Sequence, residues 1–244
     1  MKLDDIRQEV DRAAGHYYHS ELQKGIDNRT KQFVIQRCLP EVRGQHLLEL
    51  GYIDGEWTRQ LLELDCRSLD IVEGAQNHVE HARQTFAVDQ RVTVHHCLFQ
   101  EYQPRRKFTT IVAGDMLRYL SDPVAFLRHA GEWLEPGGRI LVTVPNGRSF
   151  HRRLGCYMKM EAGPMQANQR DQEVGNQRSY DRYTLRAELE ATGLKVLEVR
   201  GSFFKPLSSA QMADWQEPLL SALNEMGKEM EDYCWFLYAV CAKP

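Results

Sequence analysis

His46-Leu47-Leu48-Glu49-Leu50-Gly51-Tyr52-Ile53-Asp54-Gly55-Glu56-Trp57-Thr58 reads as a buried strand over 46–50, a tight glycine-bearing turn over 51–55 and a helix opening at residue 56 or 57. A second strand, Ser68-Leu69-Asp70-Ile71-Val72, follows after that short helix and ends on Glu73. Strand, turn, helix and strand in this order make a nucleotide-binding unit. In such a unit glycines let the backbone approach the ligand, and the acid closing the second strand accepts hydrogen bonds from two ribose hydroxyls.

The turn departs from the dinucleotide pattern in an informative way. Ile53 stands where the central glycine of a G-x-G-x-x-G would be, and the spacing does not suit a pyrophosphate. Glu49, just before the turn, would repel a phosphate but could hold an ammonium. An adenosyl group carrying an amino acid fits these residues better than a dinucleotide does. On them the chain resembles the class I S-adenosylmethionine-dependent methyltransferases, whose first motif is E-x-G-x-G-x-G and whose second ends in an acid.

The resemblance implies S-adenosylmethionine as cofactor, and it implies positions for it. Glu73, followed by Gly74, would hold the ribose; Gly51 and Gly55 would allow close approach; Tyr52 would lie beside the turn. Glu49 and Asp54 would neighbour the amino-acid end. The loop 97–101 sits at the family's adenine-binding turn, with Cys97 in place of the usual aspartate, so adenine would rest on backbone groups and on Leu98 and Phe99. A fourth strand over 107–115 would bring Gly114 and Asp115 into the pocket at its carboxyl end. Residues 116–123 match a family stretch in which Tyr119 replaces a histidine that commonly acts as a base. A phenol of pKa about 10 cannot take that role at neutral pH unaided. Leu134-Glu135-Pro136-Gly137-Gly138 is the most specific single signature. The implied fold is α/β, a doubly wound seven-stranded sheet in the order 3-2-1-4-5-7-6, with strand 7 antiparallel. From the residues alone, only the alternation of strands and helices can be read.

Composition narrows the functional classes. The chain has 244 residues, 42% of them hydrophobic, enough for one large domain with a substantial core. Its 31 basic and 34 acidic residues are intermixed and give a net charge of -3, which supplies no basic footprint for nucleic acid. No apolar run approaches a membrane span, and residues 1–5 lack the apolar core of a secretory signal, so a cytoplasmic protein is expected. The cysteines at 38, 66, 97, 156, 234 and 241 show no paired short spacing and read as reduced thiols rather than a metal or disulfide set. His95 and His96 are neighbours in a predicted strand over 91–96, so they face opposite ways and cannot share a metal. No metal is expected, and oligomeric state is left open.

Further out, Leu3, Ile6, Val10 and Ala13 recur at helical spacing in a helix ending near Gly15, and a second helix covers 28–39. These leading helices, within residues 1–40, form a cap that the resemblance lays over the cofactor. Helices over 77–86 and 124–134, a fifth strand over 139–144, a helix to 192–193, a sixth strand over 194–199, a helical stretch over 211–226 and a last strand over 233–241 complete a single domain. Between 148 and 179 the pattern dissolves into a polar insertion, read as a cap on the substrate side. Asn146 and Tyr180 stand at its two ends. With Tyr18 from the leading cap they are the candidate catalytic residues, orienting a nucleophile by hydrogen bonds.

The resulting expectation is methyl transfer to a nitrogen or oxygen of a small molecule, in the manner of secondary metabolism. Two alternatives stay open. Aromatic residues crowding the sulfonium could favour cyclisation of S-adenosylmethionine itself to azetidine-2-carboxylate and methylthioadenosine. A non-catalytic regulator would bind the cofactor and leave it intact.

Overall fold

The computed structural model describes residues 3–18, 25–167, 171 and 175–244, without the side chains of residues 4 and 16–18. Helix α1 (Leu3–Tyr18) runs past Gly15, and α2 is Ile26–Cys38. Then come β1 (His46–Leu50), α3 (Glu56–Leu62), β2 (Ser68–Glu73), α4 (Gln76–Thr85), β3 (Val92–His96), β4 (Phe108–Gly114) and α5 (Pro123–Glu132). The chain ends with β5 (Leu134–Pro145), α6 (Phe150–Tyr157), α7 (Arg182–Glu190), β6 (Lys195–Ser202), α8 (Glu217–Met226) and β7 (Phe236–Ala242).

The seven strands form one sheet in the order β3-β2-β1-β4-β5-β7-β6. Strands β1 to β5 pair in parallel, and β7 runs antiparallel to both β5 and β6. This is the Rossmann-like order implied by the resemblance.

Strand pleating explains why the sheet is covered on both faces, because successive side chains point to opposite sides. Leu48 and Leu50 of β1 join Ile111 and Ala113 of β4 against Leu127 of α5 and Leu185 of α7. Leu47 and Val112, one position out of phase, face Ile35 of α2, Leu61 of α3 and Ala82 of α4. A third cluster packs Val34 of α2 with Phe203, Phe204 and Leu220 of α8.

Local chemistry sets the helix starts. Asp122 caps α5 by accepting from the Ala125 N–H, and Pro123 opens the helix. Asp181 caps α7 by accepting from the N–H groups of Tyr183 and Thr184. The Leu134 to Gly138 signature is not a separate turn before a strand. Leu134 already pairs with Phe108, and regular pairing resumes at Thr110 with Arg139, so the glycines form an irregularity inside β5, with Gly137 at φ 74°. Helix α8 starts at Glu217, later than the periodicity from residue 211 suggests, because residues 211–214 form turns instead. No helix among the described residues is long and apolar enough to cross a membrane.

Candidate functional site

A cavity of about 160 Å³ opens at the carboxyl ends of β1, β2 and β4. This is where open α/β sheets bind ligands. Its floor is Gly51 and Ile53 from the turn after β1, Glu73 at the end of β2, and Gly114 and Asp115 at the end of β4. Ala75 and His78 from the start of α4 and Phe99 and Gln100 from the loop after β3 form one side; Met116, Tyr119 and Ser121 form another. The roof is α1, through Ile6, Glu9, Val10, Ala13 and Ala14, together with Gly175 and Gln177 of the insertion. Helix α1 is tied down by Arg7 donating to Glu101 at 2.7 Å and by the Gln76 N–H donating to Asp11 at 3.0 Å.

Glu73 is the best-organised group in this cavity. Its carboxylate accepts from the Tyr52 N–H at 2.9 Å and the Ala75 N–H at 2.7 Å, with His78 Nδ1 at 3.5 Å. Burial pushes its pKa up, but the His78 contact and the two N–H groups outweigh it and hold the carboxyl below its ordinary range. An ionised carboxylate with lone pairs to spare is suited to a pair of ribose hydroxyls. Gly51, at φ 87°, brings bare backbone next to Phe99, whose ring edge lies 3.7 Å from the point a β-carbon would take. An apolar face beside closely approachable backbone suits a purine. These residues fit the adenosyl half of S-adenosylmethionine.

Several sequence-predicted residues stand behind the wall rather than on it. The Tyr52 ring turns away, bonded to His81 at 2.9 Å and packed edge-on against Phe86; only its N–H reaches Glu73. Gly55, at φ 75°, is required by that same ring, since a β-carbon there would meet Tyr52 Oη at 2.7 Å. Leu98 is buried beneath Gly74, and Cys97 donates its N–H to Glu73 O; none of these three lines the cavity. Asp54 accepts from Lys31 of α2 at 3.0 Å.

Glu49 is 1% exposed and accepts from Thr58 Oγ1 at 2.6 Å, while its Oε1 is buried without a hydrogen-bond partner. Burial pushes its pKa up to about 8, from 4.5 in a solvated chain. Across the interval between those values the unfolded chain sheds a proton that the folded chain keeps. This group's contribution to stability is therefore full below that interval and is lost as pH rises through it. Glu49→Gln is expected to gain on the wild type by a few kcal/mol between pH 5 and pH 8 in paired urea melts. A stability difference that does not change with pH would show that Glu49 is ionised in the fold.

Asn146 and Tyr180 meet each other through a parallel β-bridge. Their side chains, however, do not line this cavity. Asn146 is 1% exposed and donates from Nδ2 to the carbonyls of Asp232 and Cys234 at 3.0 and 2.9 Å. Tyr180 Oη donates to Glu188 at 2.6 Å and borders a separate cavity of about 20 Å³ with Arg118, Arg152 and Arg178. The Tyr18 side chain lies outside the described residues. Sequence reasoning missed Glu9, which shares the spacing of Ile6 and Ala13 but not their apolar character, and His78, five residues after a recognised acid.

A methyltransferase-domain family model matches residues 18–199. A Mesorhizobium loti S-adenosylmethionine-dependent methyltransferase is 17% identical, with TM-score 0.61 over 86% of this chain and 95% of that one. The Bradyrhizobium japonicum N-methyltransferase NodS, in complex with S-adenosylhomocysteine, is 15% identical, with TM-score 0.60 over 97% of this chain and 99% of that one. The [4+2]-cyclase SpnF is 17% identical, with TM-score 0.60 over 88% of this chain and 82% of that one. No curated protein matches. A family match over most of the chain, on this sheet order and above this cavity, makes the chain a member of the class I S-adenosylmethionine-dependent methyltransferases.

Proposed function

We propose that the protein transfers the methyl group of S-adenosylmethionine to a nitrogen or oxygen of a small acceptor. The observation that carries this reading is the cavity itself. Its side with Glu73, Gly51 and Phe99 suits an adenosyl group, and it continues past Gly114 to Asp115 and Tyr119 under a roof of α1 and the insertion. That continuation is where an acceptor would meet the methyl group of a bound cofactor. Bound S-adenosylmethionine supplies an already electrophilic methyl group. The residues need only orient a nucleophile and exclude water, so the lack of a histidine at Tyr119 is no obstacle. Glu73 holds the ribose, Phe99 packs on adenine, and α1 with its apolar face of Ile6, Val10 and Ala13 closes the chamber. Asn146 and Tyr180 hold the chain ends of the insertion and support the site from outside.

The cyclising alternative needs tyrosine rings around the sulfonium. Among the described side chains, Tyr52 and Tyr180 have their rings elsewhere and Tyr119 is on the wall with Arg118 stacked 4.8 Å from its ring centre; the side chains of Tyr17 and Tyr18 lie outside the described residues. The SpnF likeness shows only that this fold is also found in a cyclase.

Incubating the protein with S-adenosylmethionine, with and without the small-molecule pool of a cell extract, tests the reading by mass spectrometry. Methyl transfer yields S-adenosylhomocysteine only when the pool is present. Methylthioadenosine and azetidine-2-carboxylate from the cofactor alone would overturn it for cyclisation. Intact cofactor in both incubations would overturn it for a binding role.

A further inference from the structure

The wall of the cavity carries three acidic side chains, Glu9, Glu73 and Asp115, and no lysine or arginine among the described residues. Glu73 has a role on the ribose. Glu9 reaches across the chamber from α1, its Oε1 3.1 Å from the point a β-carbon of Gly175 would take, and so stands at the seam between the two roofing segments. Asp115 is the third and the least satisfied. Its Oδ2 accepts from Arg118 at 2.9 Å, but its Oδ1 is buried without a hydrogen-bond partner. Buried carboxylate oxygens are rarely left that way, and a missing ligand donor is one physical explanation. The backbone at Asp115 adds a second observation. It sits at φ 56°, a region that non-glycine side chains rarely adopt, at the point where β4 delivers the chain into the chamber. Strain of this kind persists only where the surroundings enforce it, and such positions gather at functional sites.

The charges around this oxygen select the chemistry of its partner. Among the described residues, Arg118 balances one acid, Lys31 near Asp115 is held by Asp54 at 3.0 Å, and a bound sulfonium would balance a second acid, which leaves the third unmatched. The arginines that could have drawn in an acidic acceptor are engaged elsewhere. Arg152 pairs with Asp171 at 3.2 Å, Arg178 with Glu188 at 3.4 Å, and Arg153 lies over the Tyr233 ring at 5.3 Å. A carboxylate or phosphate on the acceptor would meet Glu9 and Asp115, and no lysine or arginine is among the described residues of the wall to receive it.

We propose that the acceptor is a small amine and that Asp115 Oδ1 receives its N–H. This rests on methyl transfer as the reaction of the same cavity. The bound ammonium first gives one proton to Asp115, which passes it to water. The lone pair so freed forms the new N–C bond as the C–S bond breaks, and sulfur keeps the electron pair of that bond.

The test uses purified full-length protein, S-adenosylmethionine, and a cell-extract small-molecule pool split by ion exchange into cationic, neutral and anionic fractions. S-adenosylhomocysteine is expected with the cationic fraction alone. That fraction is also expected to raise the melting temperature of protein saturated with S-adenosylhomocysteine, a readout independent of turnover. Product from the neutral or anionic fraction overturns the amine assignment and leaves methyl transfer standing. Product from no fraction overturns methyl transfer itself. Asp115→Asn is expected to lower turnover on the order of 100-fold while leaving S-adenosylhomocysteine affinity within about threefold by calorimetry. Asp115→Glu, which keeps a carboxylate, is expected to recover part of that loss. Equal losses in the two variants would assign Asp115 to holding the backbone turn and remove it from proton transfer.

Discussion

Glu73→Ala is expected to weaken S-adenosylhomocysteine binding by about two orders of magnitude, because two hydrogen bonds to an ionised group contribute roughly 1.5–3 kcal/mol each and water recovers part of the loss. The carboxylate is poised for this role. It is held ionised by the Tyr52 and Ala75 N–H groups and by His78, so no proton has to leave before the ribose binds. Methylthioadenosine, which carries the same ribose but no amino-acid end, should lose affinity in parallel. That parallel separates a ribose contact from a general loosening of the amino-acid end. Glu73→Gln keeps the shape and one acceptor oxygen and should fall between wild type and alanine. The variant also strips two backbone N–H groups of their acceptor, so melting curves must accompany the calorimetry. A folded Glu73→Ala protein that binds both ligands within about threefold of wild type would remove Glu73 from the cofactor site.

The strand, turn and helix at 46–58 are legible because the residues agree at every level. Apolar side chains occupy both faces of β1, and the glycines fall where φ is positive. Glu73 is legible for the same reason: an acid that ends a buried strand has few uses other than a ligand or a cap. Side-chain direction in the irregular turns cannot be read this way. Tyr52 looks like a pocket residue by its position, yet its ring joins the core on the α3 and α4 side, where its hydroxyl bonds His81 and its ring packs edge-on against Phe86. Tyr180 looks like a residue returning over the cofactor. The Asp181 cap instead starts α7 at once, and Glu188, two turns along that helix, captures the phenol. Glu9 lies on the helical stripe of Ile6, Val10 and Ala13, three residues after the first and four before the last, but an apolar periodicity does not count an acid, nor distinguish one on a cavity wall from one in water. The sheet order belongs to the resemblance, since alternation of strands and helices is compatible with several doubly wound orders.

Asn146→Ala is expected to cost folding stability rather than chemistry, by about 4 kcal/mol and therefore ~10 °C in melting temperature for a chain of this size. The side chain stitches the tip of β5 to the segment entering β7. Its Nδ2 serves the carbonyls of Asp232 and Cys234, its Oδ1 accepts from the Arg148 N–H at 2.9 Å, and its own N–H donates to Trp235 O at 2.8 Å. Alanine removes the three side-chain bonds together in a site closed to water, so each partner bears its desolvation without compensation. Asn146→Asp sharpens the comparison, since it replaces a donor with an acceptor facing two carbonyl oxygens. It should melt lower than the alanine variant at neutral pH, and part of the deficit should return at acid pH, where the new carboxyl is protonated and can donate. A direct part in catalysis makes the opposite forecast: wild-type melting with turnover abolished. That result in Asn146→Ala would place Asn146 at the reacting atoms and require the insertion to move far enough to bring it there.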